Sequence, residues 1–310
     1  MRRSNQIACI CLFLALSASW PSAACYSAAC FPVEFLLEIQ TGADQPGDLA
    51  IGPNGWIYLV DGVNDRVIVL DSEGKRKFTF GISGEGKGQF KRPVGIDIAG
   101  TGNVFIADTG NHRIQVFDLN GAFAHMFPVK PGGGEKPSDP VDVLAAGLRG
   151  NVYVSDNDNH KIRVYDQQGA FRFQWGSFGE GPGMFRYPGI MAVDGFNHVY
   201  VVDVLNTRVQ KFDPFGNFIT DIGAWGVLPG KLFRPKGVVV DRHNRVYVSD
   251  SYMGLVQVFA ESGRFSGVLC EGRGQRQFVT PVGMVIDSNS NKLYVVEMRA
   301  NKLSVFRIPE

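Results

Sequence analysis

Charge of one sign is the first thing this sequence lacks: 31 Lys and Arg stand against 30 Asp and Glu, a formal net charge of +1. A basic excess is the footprint of proteins that grip a phosphate backbone, so its lack argues against a nucleic-acid partner. Histidine is scarce, with five in 310 residues, and the five are scattered along the chain. A zinc site needs several side chains meeting at one point, and this scatter opposes one. No Gly-x-Ser-x-Gly elbow occurs, which removes the sequence case for a hydrolase serine. Glycine-rich stretches at 81–90 and 176–185 superficially resemble phosphate loops, but no helical period follows either. A helix N-terminus is what would hold the phosphates. No apolar run is long enough to cross a bilayer in comfort.

The chain opens on a short apolar run. Arg2 and Arg3 form a basic start, Ile7 to Ala18 an apolar middle, and Ser22-Ala23-Ala24 a small-residue stretch fit for cleavage. This pattern predicts a signal peptide over 1–24 and export by the general secretory route, to the periplasm, the cell envelope or the exterior. Cys9 and Cys11 would leave with it, and Cys25, Cys30 and Cys270 remain. Ser-Ala-Ala-Cys ends at both Cys25 and Cys30. Each copy resembles a bacterial lipobox, except for Ser where an apolar residue is usual. Lipidation of Cys25 is one expectation, and would be the protein's sole link to a membrane. A Cys25–Cys30 disulfide is the other, and leaves Cys270 an odd, buried thiol.

Glycine and proline are abundant, 38 and 16, and spread so evenly that they cut the chain into many short elements. The stretch from Asn103 to Asp118 shows what lies between them. Two runs rich in β-branched and aromatic residues, Val104 to Ala107 and Ile114 to Phe117, flank a polar turn that begins at Asp108. Near-copies place an acid at Asp61, Asp108, Asp156, Asp203, Asp250 and Glu297, a spacing of 47 or 48 residues. Ahead of each hairpin stands a Pro-led apolar run, as at Pro93, Pro140, Pro188, Pro235 and Pro281, and after most comes an aromatic run. Proline lacks an N–H and is tolerated at a strand's first residue. Six units of four antiparallel strands predict an all-β, six-bladed β-propeller over 33–310, after a short linker at 25–32. The sixth unit lacks its fourth strand, while 33–39 is a fourth-strand pattern with no hairpin before it, so the N-terminal strand is expected to complete the last blade and close the ring.

The hexad Asp108-Thr109-Gly110-Asn111-His112-Arg113 and its cousins at Asp61, Asp156 and Asp203 resemble the NHL repeat, whose propellers serve several unrelated jobs. In the turn of each unit the acid is expected to accept turn N–H groups, Asn111 to take a left-handed conformation, and Arg113 to lie over the sheet and pair with an acid. The fifth unit departs from the pattern with Met253 and Leu255 in place of Asn and Arg, and the sixth with Ala300. That loss of polar turn chemistry reads as an apolar partner surface or as drift. The glycine-rich linkers and the turns should share one face of the disc, with Phe90, Phe185 and Phe233 plugging the gaps between blades.

Two enzyme classes among propellers related to this repeat test the alternative. Peptidyl-amidoglycolate lyases use a His-bound metal, and no histidine here occupies a central position. Gluconolactonase-like propellers hold a metal with Glu, Asn and Asp from inner strands. Here Asp48 and Asp142 stand third in their Pro-led runs, where four units have Gly or Ile, and Asp97 lies two residues further along its own strand. Three carboxylates near the channel could take a single divalent cation. The expectation is therefore a non-catalytic, monomeric scaffold without a cofactor, which binds a protein, peptide or glycan. Its contacts would be Tyr187, Trp225, Tyr252 and Met253, with Arg113 and Arg208 as polar contributors. The alternative is a metal-dependent lyase or lactonase at Asp48, Asp97 and Asp142.

Overall fold

The structure is a computed structural model, and it describes residues 29–310 apart from 131, 132, 146, 147 and 273. The N-terminal segment and Cys25 lie outside the described residues. Six four-stranded antiparallel sheets are arranged as the blades of a propeller. Blade 1 runs Leu49–Ile51, Ile57–Asp61, Arg66–Leu70 and Arg76–Phe80, and blade 2 runs Pro93–Ile98, Val104–Asp108, Arg113–Phe117 and Phe123–Pro128. Blades 3, 4 and 5 repeat this order from Pro140, Pro188 and Pro235. Strands are called a to d from the axis outward. Blade 6 takes its a, b and c strands from Pro281–Asp287, Lys292–Glu297 and Lys302–Arg307, and its d strand from Glu34–Gln40 at the other end of the chain. Phe35 pairs with Phe306 and Ile39 with Leu303 across that seam. The predicted ring closure is thus present.

The chain does more at the seam than the sequence suggests. Cys30–Pro32, expected as linker, is a strand that pairs in parallel with strand d of blade 5, Cys30 opposite Val268. Cys30 is disulfide-bonded to Cys270, their Cα atoms 5.5 Å apart. This overturns the expected Cys25–Cys30 bridge and the odd thiol, although Cys270 is buried as expected. The reason is spatial: the N-terminal segment must pass the outer edge of blade 5 to reach blade 6, and so meets a residue 240 positions away.

The core is divided. Each of the six gaps between neighbouring blades holds its own apolar cluster; between blades 2 and 3, for example, Phe105, Val116 and Phe127 meet Val143, Val152 and Tyr165. The b strands are buried on both faces, which is why they read as unbroken apolar runs. Every b strand carries a buried aromatic second residue or its equivalent: Tyr58, Phe105, Tyr153, Tyr200, Tyr247 or Tyr294. The d strands alternate between exposed and covered because only their inner side packs.

Candidate functional site

The acid that ends each b strand is a structural hub. Asp108 is fully buried, yet its carboxylate accepts hydrogen bonds from Lys91 N (2.8 Å), Asn111 Nδ2 (2.9 Å), Arg113 Nε (2.7 Å) and Gln115 Nε2 (2.9 Å). Arg113 then donates to the carbonyls of Glu85 and Gly86 at 2.7 Å and of Gln89 at 2.8 Å in the linker before its blade. Asp203 repeats this with Arg186 N, Asn206, Arg208 and Gln210. Arg208 also donates to the Gly181 and Met184 carbonyls and to Asp221. Both arginines are consumed in holding linker to turn. The left-handed residue of the turn is His112, φ +55°, and not Asn111, whose side chain donates instead to Asp108 and to the Gly84 carbonyl.

Blade 5 solves the same problem without Asn or Arg. Asp250 accepts from the backbone N–H groups of Phe233, Arg234, Tyr252 and Met253, and Gly254 supplies the positive φ at +65°. Leu255 is buried and packs with Val268 and Cys270, and Met253 covers them. Met253 is therefore half spent on the interior, whereas Tyr252 is 64% exposed with its ring 4.5 Å from Phe233.

The turns and linkers do share one face. Phe90 and Phe185 plug the gaps as expected, but in the third linker Leu232 fills that position, and Phe233 lies against Tyr252. Trp225, which pairs with Leu232 as Phe178 does with Phe185, points outward and is 72% exposed. Tyr187 meets the His160 ring edge-on at 4.9 Å, and its backbone carbonyl accepts the Val204 N–H.

At the centre of this face is a funnel of about 800 Å³. The second residue of every a strand region lines it: Gly47, Val94, Val141, Gly189, Lys236 and Val282. Val204, Leu205 and Met298 from the turns and Trp225 from a linker add to an apolar wall. Arg234 and Arg299 stand on its lip and also line an adjoining depression of about 430 Å³ that holds Tyr252 and Met253. Among the described residues no Asp or Glu lines either space.

Further along the axis a channel of about 240 Å³ contains Asp48, Asp97 and Asp142 on one side and Met191, Val238, Val239 and Met284 on the other. The three acids are brought together as expected, and each is bonded to the next blade. Asp48 accepts from Ile96 N (3.2 Å), Asp97 from Ala145 N (2.7 Å) and Asp142 from Met191 N (2.7 Å). Burial pushes the Asp48 carboxyl up to about 7, with the Asp97 charge adding to it, and the Asp97 carboxyl up to about 6. Burial, then the neighbouring Asp48 and Asp97 charges, holds Asp142 well above the carboxylate range. Among the described residues no three His, Cys, Asp or Glu side chains form a group that could hold a metal ion.

Comparison with known proteins agrees with this geometry. A family model described as NHL repeat matches residues 90–117 and 234–259, each running from a linker end through strands a, b and c of one blade. The chain carries NHL repeats. A second model, described as a 6-bladed beta-propeller, matches residues 146–223. NHL repeat-containing protein 3 from Homo sapiens is 38% identical over 78 residues, 24% of this chain and 22% of that protein. Protein brain tumor from Drosophila melanogaster is 44% identical over 48 residues, 16% of this chain and 5% of that protein. The NHL repeats thus match only a small part of these relatives' lengths. Among solved structures, a gluconolactonase from Xanthomonas campestris has a TM-score of 0.67 at 15% identity, covering 91% of this chain and 96% of that one. Virginiamycin B lyase from Staphylococcus aureus has a TM-score of 0.63 at 12% identity, covering 88% and 99%. At such identities the likeness is one of fold.

Sequence reasoning missed the three cations of the funnel as a group. Lys236 carried a signal, since the other five NHL units have Gly or Val at that position. Arg234 and Arg299 are separated by 65 positions, and only the ring brings them to one opening.

Proposed function

We propose that this NHL-repeat propeller is an exported, non-catalytic binding module, whose partner docks on the face formed by the linkers and b–c turns. The observation that carries the reading is that most of the exposed large apolar side chains gather there, including Phe178, Tyr187, Leu205, Trp225, Leu228 and Tyr252. Scattered exposed apolar residues are ordinary, whereas a set gathered on one face around a concave opening, which Leu205 and Trp225 line, is the usual mark of recognition. The mixed aromatic and aliphatic rim suits a protein or peptide partner better than a glycan. Export draws support from the N-terminal signal pattern and from the Cys30–Cys270 disulfide, a bond that persists in oxidising compartments.

The competing reading, a metal-dependent lyase or lactonase at the channel acids, draws on the shared cavity of Asp48, Asp97 and Asp142. Their carboxylates are occupied in stapling neighbouring blades and do not form a ligand group, so the residues present do not fit the metal and no catalytic step is derived from them.

A photo-crosslinking amino acid placed at Trp225 tests the binding reading against one placed at Phe215, an exposed residue in a c–d turn outside this face. A defined partner cross-linked from position 225, absent from position 215 and lost in the Tyr252→Ala background, is the expected result. Equal cross-linking from both positions would sink it.

A further inference from the structure

Lys236, Arg234 and Arg299 crowd one opening, and among the described residues none has an ion-pair partner. By contrast, arginines that follow the b–c turns are matched: Arg66 with Asp61, Arg113 with Asp108, Arg163 with Asp156, Arg208 with Asp203. Among the described residues the bonds that involve Arg234 are made by its backbone, to Asp250 and to Ser251. Lys236 keeps an exposed surface although protein surrounds most of it, and that crowding, with the Arg234 charge, holds its ammonium below the ordinary range. Like charges placed together on a wall that no Asp or Glu lines, among the described residues, cost free energy. An anion entering the opening would relieve that cost.

The wall limits what the anion can be attached to. With the three charges it shares Val94, Val141, Ile190, Leu205 and Val282, and of its neutral polar side chains, Asn157, Thr207, Ser251 and Thr280, Asn157 and Ser251 already donate to backbone carbonyls. A funnel of about 800 Å³ is within the range of sites that enclose one small molecule, roughly 300–1,000 Å³. Its concave shape does not match a flat membrane surface.

We infer that the funnel binds a single amphipathic anion, with an apolar body against the aliphatic wall and a carboxylate or phosphate headgroup between Arg234, Lys236 and Arg299. This rests on the reading of the linker and turn face as the binding face, and assigns the chemistry that its centre recognises. Trp225, on the same wall, reports occupancy.

The test uses the full chain and four monomeric probes below their micelle concentrations: laurate, dodecyl phosphate, dodecanol and dodecyltrimethylammonium. Trp225 fluorescence should change saturably with one or both anions, and calorimetry should give one site per chain. Dodecanol should bind at least about ten-fold more weakly than the better anion, and the cation should not bind. The Lys236→Met/Arg299→Met variant should lose at least about ten-fold in anion affinity and keep or raise its melting temperature, since neither side chain has an ion-pair partner among the described residues. The Trp225→Phe variant should lose the optical signal while calorimetry still registers binding. Equal affinity for laurate, dodecyl phosphate and dodecanol, an unaffected double methionine variant, or binding to anionic vesicles alone would each overturn the inference. If no probe binds while the cross-link from position 225 is still obtained, the inference falls by itself. If a probe binds and no partner cross-links, the docking reading falls and the ligand site stands.

Discussion

The carboxylate of Asp142 accepts a 2.7 Å hydrogen bond from the backbone N–H of Met191, a residue on the inner strand of the next blade. Two blades earlier Asp48 accepts from the Ile96 N–H in the same way, and between them Asp97 accepts from the Ala145 N–H. Blades 1 to 4 are thus stapled to one another at the axis by side chains of a type that burial penalises when charged.

A dependence on pH follows from those staples. Their folded-state pKa values lie above the unfolded value near 3.8, at about 7 for Asp48 and about 6 for Asp97. The folded chain therefore keeps protons that the unfolded chain releases. The contribution is fully present below about pH 4 and is lost as pH rises through 6 and 7. Between pH 5 and pH 8 the melting temperature should fall by several degrees, in proportion to a loss on the order of 3 kcal/mol. The Asp48→Asn/Asp142→Asn variant keeps an oxygen acceptor at each staple and should flatten that profile. A wild-type curve that is level or rises across this window would contradict the account.

Arg113 and Arg66 occupy the same position in neighbouring blades, but their side chains are 10% and 31% exposed. Arg113 holds three linker carbonyls besides Asp108, whereas Arg66 reaches one carbonyl at 3.3 Å. Truncating one partner of a buried pair costs about 3–5 kcal/mol, and an exposed pair contributes about 1 kcal/mol or less. Urea unfolding should show Arg113→Ala to be destabilised by at least about 2 kcal/mol more than Arg66→Ala. Similar midpoints for the two would show that the linker carbonyls do not depend on Arg113.

The disulfide ties the ring-closing strand to blade 5. Peptide mapping without reduction should give a Cys30–Cys270 linked pair. Cys270→Ser should lower stability by about 2–4 kcal/mol, the usual worth of a bridge across a long loop. Recovery of a Cys25–Cys30 pair would refute this connectivity.

Two glycines at neighbouring positions of their a strands should differ in how much alanine costs them. At Gly237 a Cβ would stand 2.2 Å from the Val282 carbonyl oxygen, which is backbone and cannot retreat. At Gly189 the nearest atom is a Val204 methyl at 3.1 Å. Gly237→Ala should cost about 1–3 kcal/mol, and Gly189→Ala should stay within about 1 kcal/mol of wild type. Equal melting temperatures for the two variants would mean that the inner strands are less tightly set around the axis than the structure has them.

Much of the architecture is legible in the chain because a propeller is built from local units. The hairpin from Val104 to Phe117, the acid at Asp108 and the proline that opens strand a are all within one repeat, and six near-copies average out chance. The missing fourth strand of the last unit points to closure by residues 33–39 for the same reason, and the structure has Glu34–Gln40 there. The Asp48, Asp97 and Asp142 cluster could also be found, since inner strands must face the axis. Roles within the turn were less legible. The sequence offers Arg113 and Arg208 as polar contacts for a partner, and only the structure shows the linker carbonyls that take up their guanidinium groups.

What the sequence determined by itself is the repeat, its strands and the ring they make, because strand pairing and turn chemistry act between residues near one another in the chain. The tertiary structure alone decided which distant side chains share a space. Cys30 meets Cys270 because the closing segment crosses the edge of blade 5, and Arg234 meets Arg299 because the linker before blade 5 and the b–c turn of blade 6 face one opening. A period of 47 residues specifies each blade but carries no record of which departures from it will face one another. That depends on the rotation of each blade about the axis, which the packing of the six apolar layers sets.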